Sequence, residues 1–214
     1  MKNLTKSGLA IVLSEFKDFE KHDLKLEQYS TPSEIAADVL WKAHMNGDID
    51  GKTILDAACG PGYLGIGALL LGAKMVFFVD KSQEAINILK ENIESVCSEY
   101  GINIKEKSRI IAEDINNADK FIDDKIDVVL QNPPFGTKEK HHDKLFLEKA
   151  FSIAKTIYSF HKTATRRFIE AIAKDSGFLI SHLWRYDFMI KATHKFHEKK
   201  KYFVDVTVFR LAKR

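Results

Sequence analysis

From Lys52 onward, short apolar runs alternate with longer stretches of helical periodicity. Thr53–Leu55, Met75–Val79, Arg109–Ala112, Ile126–Leu130, Gly177–His182 and Phe203–Leu211 read as strands, and Tyr63–Leu71, Gln83–Ser98, Lys144–Ala154 and Thr163–Lys174 as helices. Apolar strands separated by helices need cover on both faces, which is the condition of a parallel sheet. The expected fold is therefore α/β, a doubly wound, seven-stranded, mostly parallel Rossmann-like sheet. The alternation within Lys201–Arg210 predicts an antiparallel strand at the edge or next to it, and Trp184–Met189 is expected to supply the remaining strand. Ligands of such sheets lie outside the carboxyl ends of the strands, at the point where the strand order reverses.

Ahead of the sheet, Leu9, Val12, Leu13 and Phe16 give Leu4–Phe19 the spacing of an amphipathic helix, and the polar stretch Glu20–Glu27 follows it. Thr31 is read as a cap preceding Pro32 at the first position of a further helix, whose apolar face is Ile35, Ala36, Val39 and Leu40. The expected division is an N-terminal helical extension over residues 1–30 and one domain over residues 31–214. A chain of 214 residues that is 45% hydrophobic buries a continuous core of that size. Its net charge of +3 does not by itself mark a nucleic-acid binder. The two cysteines, Cys59 and Cys97, frame neither a disulfide scaffold nor a zinc cluster. With no apolar run of membrane-spanning length and no cleavable leader pattern, the expected location is the cytoplasm.

Asp56-Ala57-Ala58-Cys59-Gly60-Pro61-Gly62 joins the first strand to its helix. Small residues let the backbone approach a ligand closely. The spacing is not the Gly-x-Gly-x-x-Gly of dinucleotide sites, and the leading carboxylate would repel a pyrophosphate. Asp56, Ala58, Gly60 and Gly62 instead suit a cationic cofactor, S-adenosylmethionine, with Asp56 helping to place the methionine ammonium directly or through water. Asp80 ends the second strand, where a carboxylate accepts both ribose hydroxyls, and Asp114 follows the third, placed to accept from an adenine amino group. Each aspartate taken alone also reads as a helix cap.

The strand Ile126–Leu130 delivers Asn132-Pro133-Pro134-Phe135 to the same edge. Such a sequence also reads as a turn that stops a strand. Yet all four prolines of the chain, Pro32, Pro61, Pro133 and Pro134, fall in candidate site segments. The chemistry accounts for the residue types. An adenine amino nitrogen is a poor nucleophile because its lone pair is delocalised into the ring. Two acceptors aimed at its hydrogens, the Asn132 side-chain oxygen and the Pro133 carbonyl, favour a more tetrahedral nitrogen. Pro133 and Pro134 stiffen the backbone, and Phe135 stacks on a base that is flipped or single-stranded.

These motifs, together with Phe19-Glu20-Lys21, Leu26-Glu27-Gln28-Tyr29, Gly136-Thr137-Lys138, Tyr158-Ser159 with His161-Lys162, Arg185-Tyr186-Asp187 and Lys195-Phe196-His197, extend over nearly the whole chain. In that order they resemble the methyltransferase-like family that modifies one adenosine of small-subunit ribosomal RNA in eukaryotes, with archaeal relatives. The resemblance implies an S-adenosylmethionine-dependent N6-adenine methyltransferase whose Gln28, Tyr29 and Thr31 close over the cofactor. It also implies a small zinc-binding activator protein docked along Arg109–Ala112, an exposed third strand. The family commonly has Gly where this chain has Ala58, so one methyl group must be tolerated beside the ligand.

Lys138, Lys140, His141, His142 and Lys144 follow the Asn-Pro-Pro-Phe motif, and Lys191, His194, Lys195, His197, Lys199, Lys200 and Lys201 form a second basic run with Phe196 and Tyr202 interleaved. Either run alone is an ordinary solvated face; flanking a base pocket, they suit ribosomal RNA phosphates. The histidines lack the partners of a metal site, and methyl transfer from a sulfonium needs no metal. The competing readings are an N-methyltransferase of DNA adenine or of protein glutamine, and a non-catalytic RNA-binding or assembly factor.

Overall fold

The computed structural model describes residues 4–19, 30–134, 142–191 and 201–214. Helices α1 (Lys6–Ser14) and α2 (Ser33–Met45) precede β1 (Thr53–Ala57), α3 (Tyr63–Leu70), β2 (Met75–Val79), α4 (Gln83–Tyr100) and β3 (Ser108–Ile111). Then follow β4 (Val128–Gln131), α5 (His142–Ile153), β5 (Thr156–Lys162), α6 (Arg166–Asp175), β6 (Phe178–Lys191) and β7 (Lys201–Lys213). The strands form one seven-stranded sheet of order β3-β2-β1-β4-β5-β7-β6. β1 to β5 are parallel to one another, and β7 is antiparallel to both β5 and β6. The expected Rossmann-like sheet with an antiparallel C-terminal strand is the observed one, and β7 is next to the edge.

The strand content differs from expectation in one place. Trp184–Met189 is not a separate strand but the continuation of β6, and the seventh strand is Thr156–Lys162. Sequence reading passed over β5 because Ser159 and His161 put polar side chains on a face that is buried. The capping expectation at α2 also changes. Pro32 occupies the N-cap position with no side-chain cap, and Thr31 directs its hydroxyl elsewhere.

Both faces of the sheet are covered. On one, Leu9, Val12, Leu13 and Phe16 of α1 and its end join Ala36, Val39 and Leu40 of α2, Ile66 of α3, and Ile54 and Phe78 of the sheet. The N-terminal helix is thus packed into the main core. On the other face, Leu55, Val129, Ile157, Phe209 and Leu211 meet Leu147 and Phe151 of α5 and Ile169 and Ile172 of α6. Helix α3 is buried along its whole length, which explains why it is apolar on every side.

Register sets the level of the loops. Ile111, Val79, Ala57, Gln131 and Ser159 are successive partners across five strands. The residues after Ile111, Val79, Ala57 and Gln131 therefore leave the sheet at one height, on strands about 4.8 Å apart, while β5 runs on to Lys162. The order reverses between β1 and β4, so their loops flank the switch point. β6 and β7 continue past β5: Asp187↔Asp205 to Lys191↔Lys201 pair beyond Lys162, the last residue of β5.

Candidate active site

The loop after β1 is wound tightly by left-handed backbone. Ala58, Gly60 and Gly62 have φ of 55°, 52° and 91°. Among the described residues Ala58 is the one non-glycine with positive φ, a conformation that costs an L-residue roughly 1 kcal/mol. The loop is closed by Gly62 N–H donating to the Cys59 carbonyl at 2.9 Å and by Cys59 N–H donating to the Val79 carbonyl at 3.1 Å. Gly62 has no room for a side chain, since a Cβ there would lie 2.4 Å from Leu89 Cδ1.

Asp56 lies beneath this loop, 1% exposed, and Oδ2 accepts from Gly65 N–H in the first turn of α3 at 2.7 Å. Burial pushes its carboxyl up to about 8, against the opposing effect of the Gly65 bond. Asp56 therefore ties β1 to α3. Gly65 is required by the same contact: a Cβ there would sit 2.3 Å from Phe78 Cε1 and 2.8 Å from Asp56 Oδ2.

Asp80, at the end of β2, holds the loop from the side. Its Oδ2 accepts from Gly60 N–H and its Oδ1 from Ser82 N–H, both at 2.9 Å. Burial raises its carboxyl, and these two backbone bonds act the other way. Asp114 caps the 3-10 turn Ile115–Lys120, its Oδ1 accepting from Asn116 N–H at 3.0 Å and from Asn116 Nδ2 at 2.8 Å. The cap reading of Asp114 thus describes part of its bonding, and the residue is still partly exposed.

At the end of β4, Asn132 Nδ2 donates to Thr31 Oγ1 at 3.0 Å. Asn132 Oδ1 is buried and has no partner among the described residues. An unsatisfied buried acceptor costs about 1–3 kcal/mol, so such an atom calls for a reason. Pro133 is buried behind it. Gln28, Tyr29 and Phe135 lie outside the described residues, as do Lys138, Lys140, His141, His194, Lys195, Phe196, His197, Lys199 and Lys200.

The structure also brings forward residues to which sequence reading gave no role. Asn92 of α4 is 1% exposed; its Nδ2 donates to the Lys17 and Pro61 carbonyls at 3.0 Å, and its Oδ1 accepts from Lys17 N–H at 2.8 Å. It fastens the segment after α1 to the β1 loop. Its position on the inner face of α4, among apolar residues, was the available signal. Gln131, Ser159 and His161 form a buried polar chain behind Asn132.

A parallel sheet that reverses order beside a small-residue loop, with a carboxylate closing that loop from the next strand, is the geometry of a nucleotide-type cofactor site, and similarity to known proteins makes the class a methyltransferase. The chain is similar over its length to known proteins. The crystal structure of PH1948 from Pyrococcus horikoshii, described as a candidate RNA methyltransferase, superposes with a TM-score of 0.84 at 38% identity, covering 99% of this chain and 98% of that one. The rRNA N(6)-adenosine-methyltransferase METTL5 of Danio rerio is 34% identical over 92% of this chain and 94% of its own length. The uncharacterized protein MJ0284 of Methanocaldococcus jannaschii is 34% identical over 98% of this chain and 95% of its own. The chain belongs to the family described as Conserved hypothetical protein 95, whose model matches residues 38–174.

Among the described residues β3 is an edge strand, paired with β2 alone. Ile111 is buried in the core and Ile110 packs against it, so what this edge presents outward is backbone. Among the described residues no helix is long and apolar enough to cross a membrane.

Proposed function

We propose that this chain methylates N6 of a single adenosine in small-subunit ribosomal RNA. The observation that carries the reading is the Asn132 side chain, whose amide nitrogen is held by Thr31 while its buried oxygen lacks a partner. An acceptor fixed in place and left unsatisfied suits a ligand N–H donor. The names of the relatives, rRNA N(6)-adenosine-methyltransferases at 30–34% identity over nine-tenths of this chain, support adenine as that ligand.

The residues around the β1 loop fit the cofactor. A Cβ built at Gly60 meets nothing within 4 Å, so that backbone is open on one side. Asp80 leaves β2 at the level of the loop and Asp114 caps the turn three residues past β3; Asp80 accepts from the ribose hydroxyls and Asp114 from the adenine amino group. Ala58, Gly60 and Gly62 let the backbone lie close to the methionine portion, Asp56 sets the loop from beneath through its bond to Gly65, and Thr31 with Gln28 and Tyr29 closes the N-terminal side. When bound, the cofactor supplies a methyl group activated by a sulfonium.

The chain then has only to present the nitrogen. Asn132 Oδ1 and the Pro133 carbonyl accept the two amino hydrogens of the target base, which favours a more tetrahedral nitrogen whose lone pair is withdrawn from conjugation with the ring. Pro133 and Pro134 restrict the backbone so that both acceptors keep their places. Phe135 stacks on the base. The excess proton is acidic once the nitrogen carries a fourth substituent and passes to water. The basic runs that begin at Lys138 and at Lys191 contact RNA phosphates. The unpaired edge of β3 at Arg109–Ala112 is the proposed seat of a small zinc-binding activator, by strand addition.

The test is incubation with methyl-labelled cofactor and, separately, deproteinised small-subunit RNA, DNA and protein, followed by digestion. Label on N6 of one RNA adenosine is expected, lost in Asn132→Ala, which still binds cofactor. Label on DNA adenine or on protein glutamine, with none on RNA, sinks the reading.

A further inference from the structure

Gln131, Ser159 and His161 are 0%, 0% and 1% exposed. By strand alternation they share the face of Val129, Ile157, Phe209 and Leu211, an otherwise apolar layer under α5 and α6. Gln131 Nε2 donates to Ser159 Oγ at 2.8 Å, and Ser159 Oγ lies 2.6 Å from His161 Nε2. Because Gln131 donates into the hydroxyl, the hydroxyl proton is free for the imidazole, which accepts it in its neutral form. Burial keeps the ring neutral, lowering its pKa to about 3. The ring is set edge-on to Phe209, with centroids 6.0 Å apart and planes at 64°.

Stability does not explain this chain of polar groups. Replacing both partners of a buried hydrogen bond by apolar groups of the same shape is close to neutral, and leaving one acceptor unmade is costly. Gln131 Oε1 is such an acceptor, without a partner among the described residues. What distinguishes the chain is its place. Gln131 is the last residue of β4 in register with both Ala57 and Ser159, and Asn132 is the first residue beyond the ladder. A directional bond at that rung fixes the rotation of the strand end in a way that apolar packing does not.

We propose that Gln131, Ser159 and His161 are positioning residues for Asn132, a hydrogen-bonded chain locking the last rung of β4 on one face while Thr31 holds the Asn132 amide from the other. The inference rests on the reading of Asn132 as the acceptor for the target amino group.

The experiment compares Ser159→Ala, the apolar triple variant Gln131→Leu/Ser159→Ala/His161→Leu, and Asn132→Ala. Each is assayed as the full chain with S-adenosylmethionine and deproteinised small-subunit RNA. Thermal midpoint, KM for cofactor, and kcat per cofactor-binding site are read together. Ser159→Ala is expected to lower the midpoint and to cut kcat about tenfold, with KM for cofactor within about twofold of the parent. The triple variant regains the midpoint but not kcat. Recovery of kcat together with the midpoint, or a Ser159→Ala protein with normal kcat per binding site, overturns the proposal. If the triple variant does not fold, Ser159→Cys decides, with an intermediate kcat at unchanged cofactor KM expected and a parental kcat overturning the idea. Asn132→Ala separates the two readings. If it transfers methyl at the parental rate, the reading of Asn132 fails; if it is inactive while the chain variants are not, the positioning role alone fails.

Discussion

The Thr31 hydroxyl accepts a 3.0 Å hydrogen bond from Asn132 Nδ2, joining the residue before Pro32 to the loop after β4. The bond anchors the Asn132 amide and leaves its oxygen as a buried acceptor with no partner among the described residues. Thr31→Val keeps the shape and removes the acceptor. Single-turnover transfer should slow by about tenfold in Thr31→Val and by much less in Thr31→Ser. Equal rates in the two variants would show that the hydroxyl does not orient Asn132.

Asp80 is bonded to both Gly60 N–H and Ser82 N–H, so its removal loosens the β1 loop and the start of α4 at once. Asp80→Ala should abolish cofactor binding by calorimetry, whereas Asn132→Ala retains it. A variant that binds at parental affinity would exclude Asp80 from the cofactor pocket.

How much of this was legible beforehand follows from burial. β2 is an apolar run buried at four of its five positions, and the Ile54-Leu55 pair of β1 runs directly into the Asp56-to-Gly62 motif, so both could be read with the loops at their ends. β5 could not, because Ser159 and His161 are buried as polar residues and interrupt the pattern that marks a strand. The Thr31 to Asn132 bond and the three bonds of Asn92 join segments far apart in sequence, and no local periodicity encodes them.

Asn92→Ala removes the tie between Lys17 and Pro61 and strands their backbone groups. A loss of about 2 kcal/mol in unfolding free energy is expected, with weaker cofactor binding alongside. Chemical denaturation with and without cofactor measures both. An unchanged midpoint would mean that the tie carries no load.

The buried Asp56 carboxyl, raised to about 8, is protonated in the folded chain where an unfolded aspartate is ionised. Its contribution is fully present below the ordinary aspartate range near pH 4 and is lost as pH rises through about 8. His161, with its pKa lowered, has the opposite sign and loses stability only as pH falls below 6.5. Between pH 6.5 and 8 the Asp56 slope therefore stands apart from that of His161, at most roughly 1.4 kcal/mol per pH unit. Asp56→Asn keeps an acceptor for Gly65 and should flatten the slope in urea titrations across this range. A slope unchanged by the substitution would show that Asp56 is ionised in the fold.

Ala58 holds a left-handed conformation that glycine adopts without strain. Ala58→Gly relieves that strain but gains freedom in the unfolded chain, so the net stability change should stay within about 1 kcal/mol. Cofactor affinity should rise, because a methyl group leaves the loop that approaches the ligand. A weaker dissociation constant in Ala58→Gly would mean that the methyl group contacts the cofactor favourably.

β7 enters the sheet between β5 and β6, both of which precede it in the chain. During synthesis those two strands wait with open edges until Lys201–Lys213 has left the ribosome, and only then does the sheet close. The arrival of a single strand thus gates the fold, and the nascent protein is most exposed to mispairing just before that strand arrives.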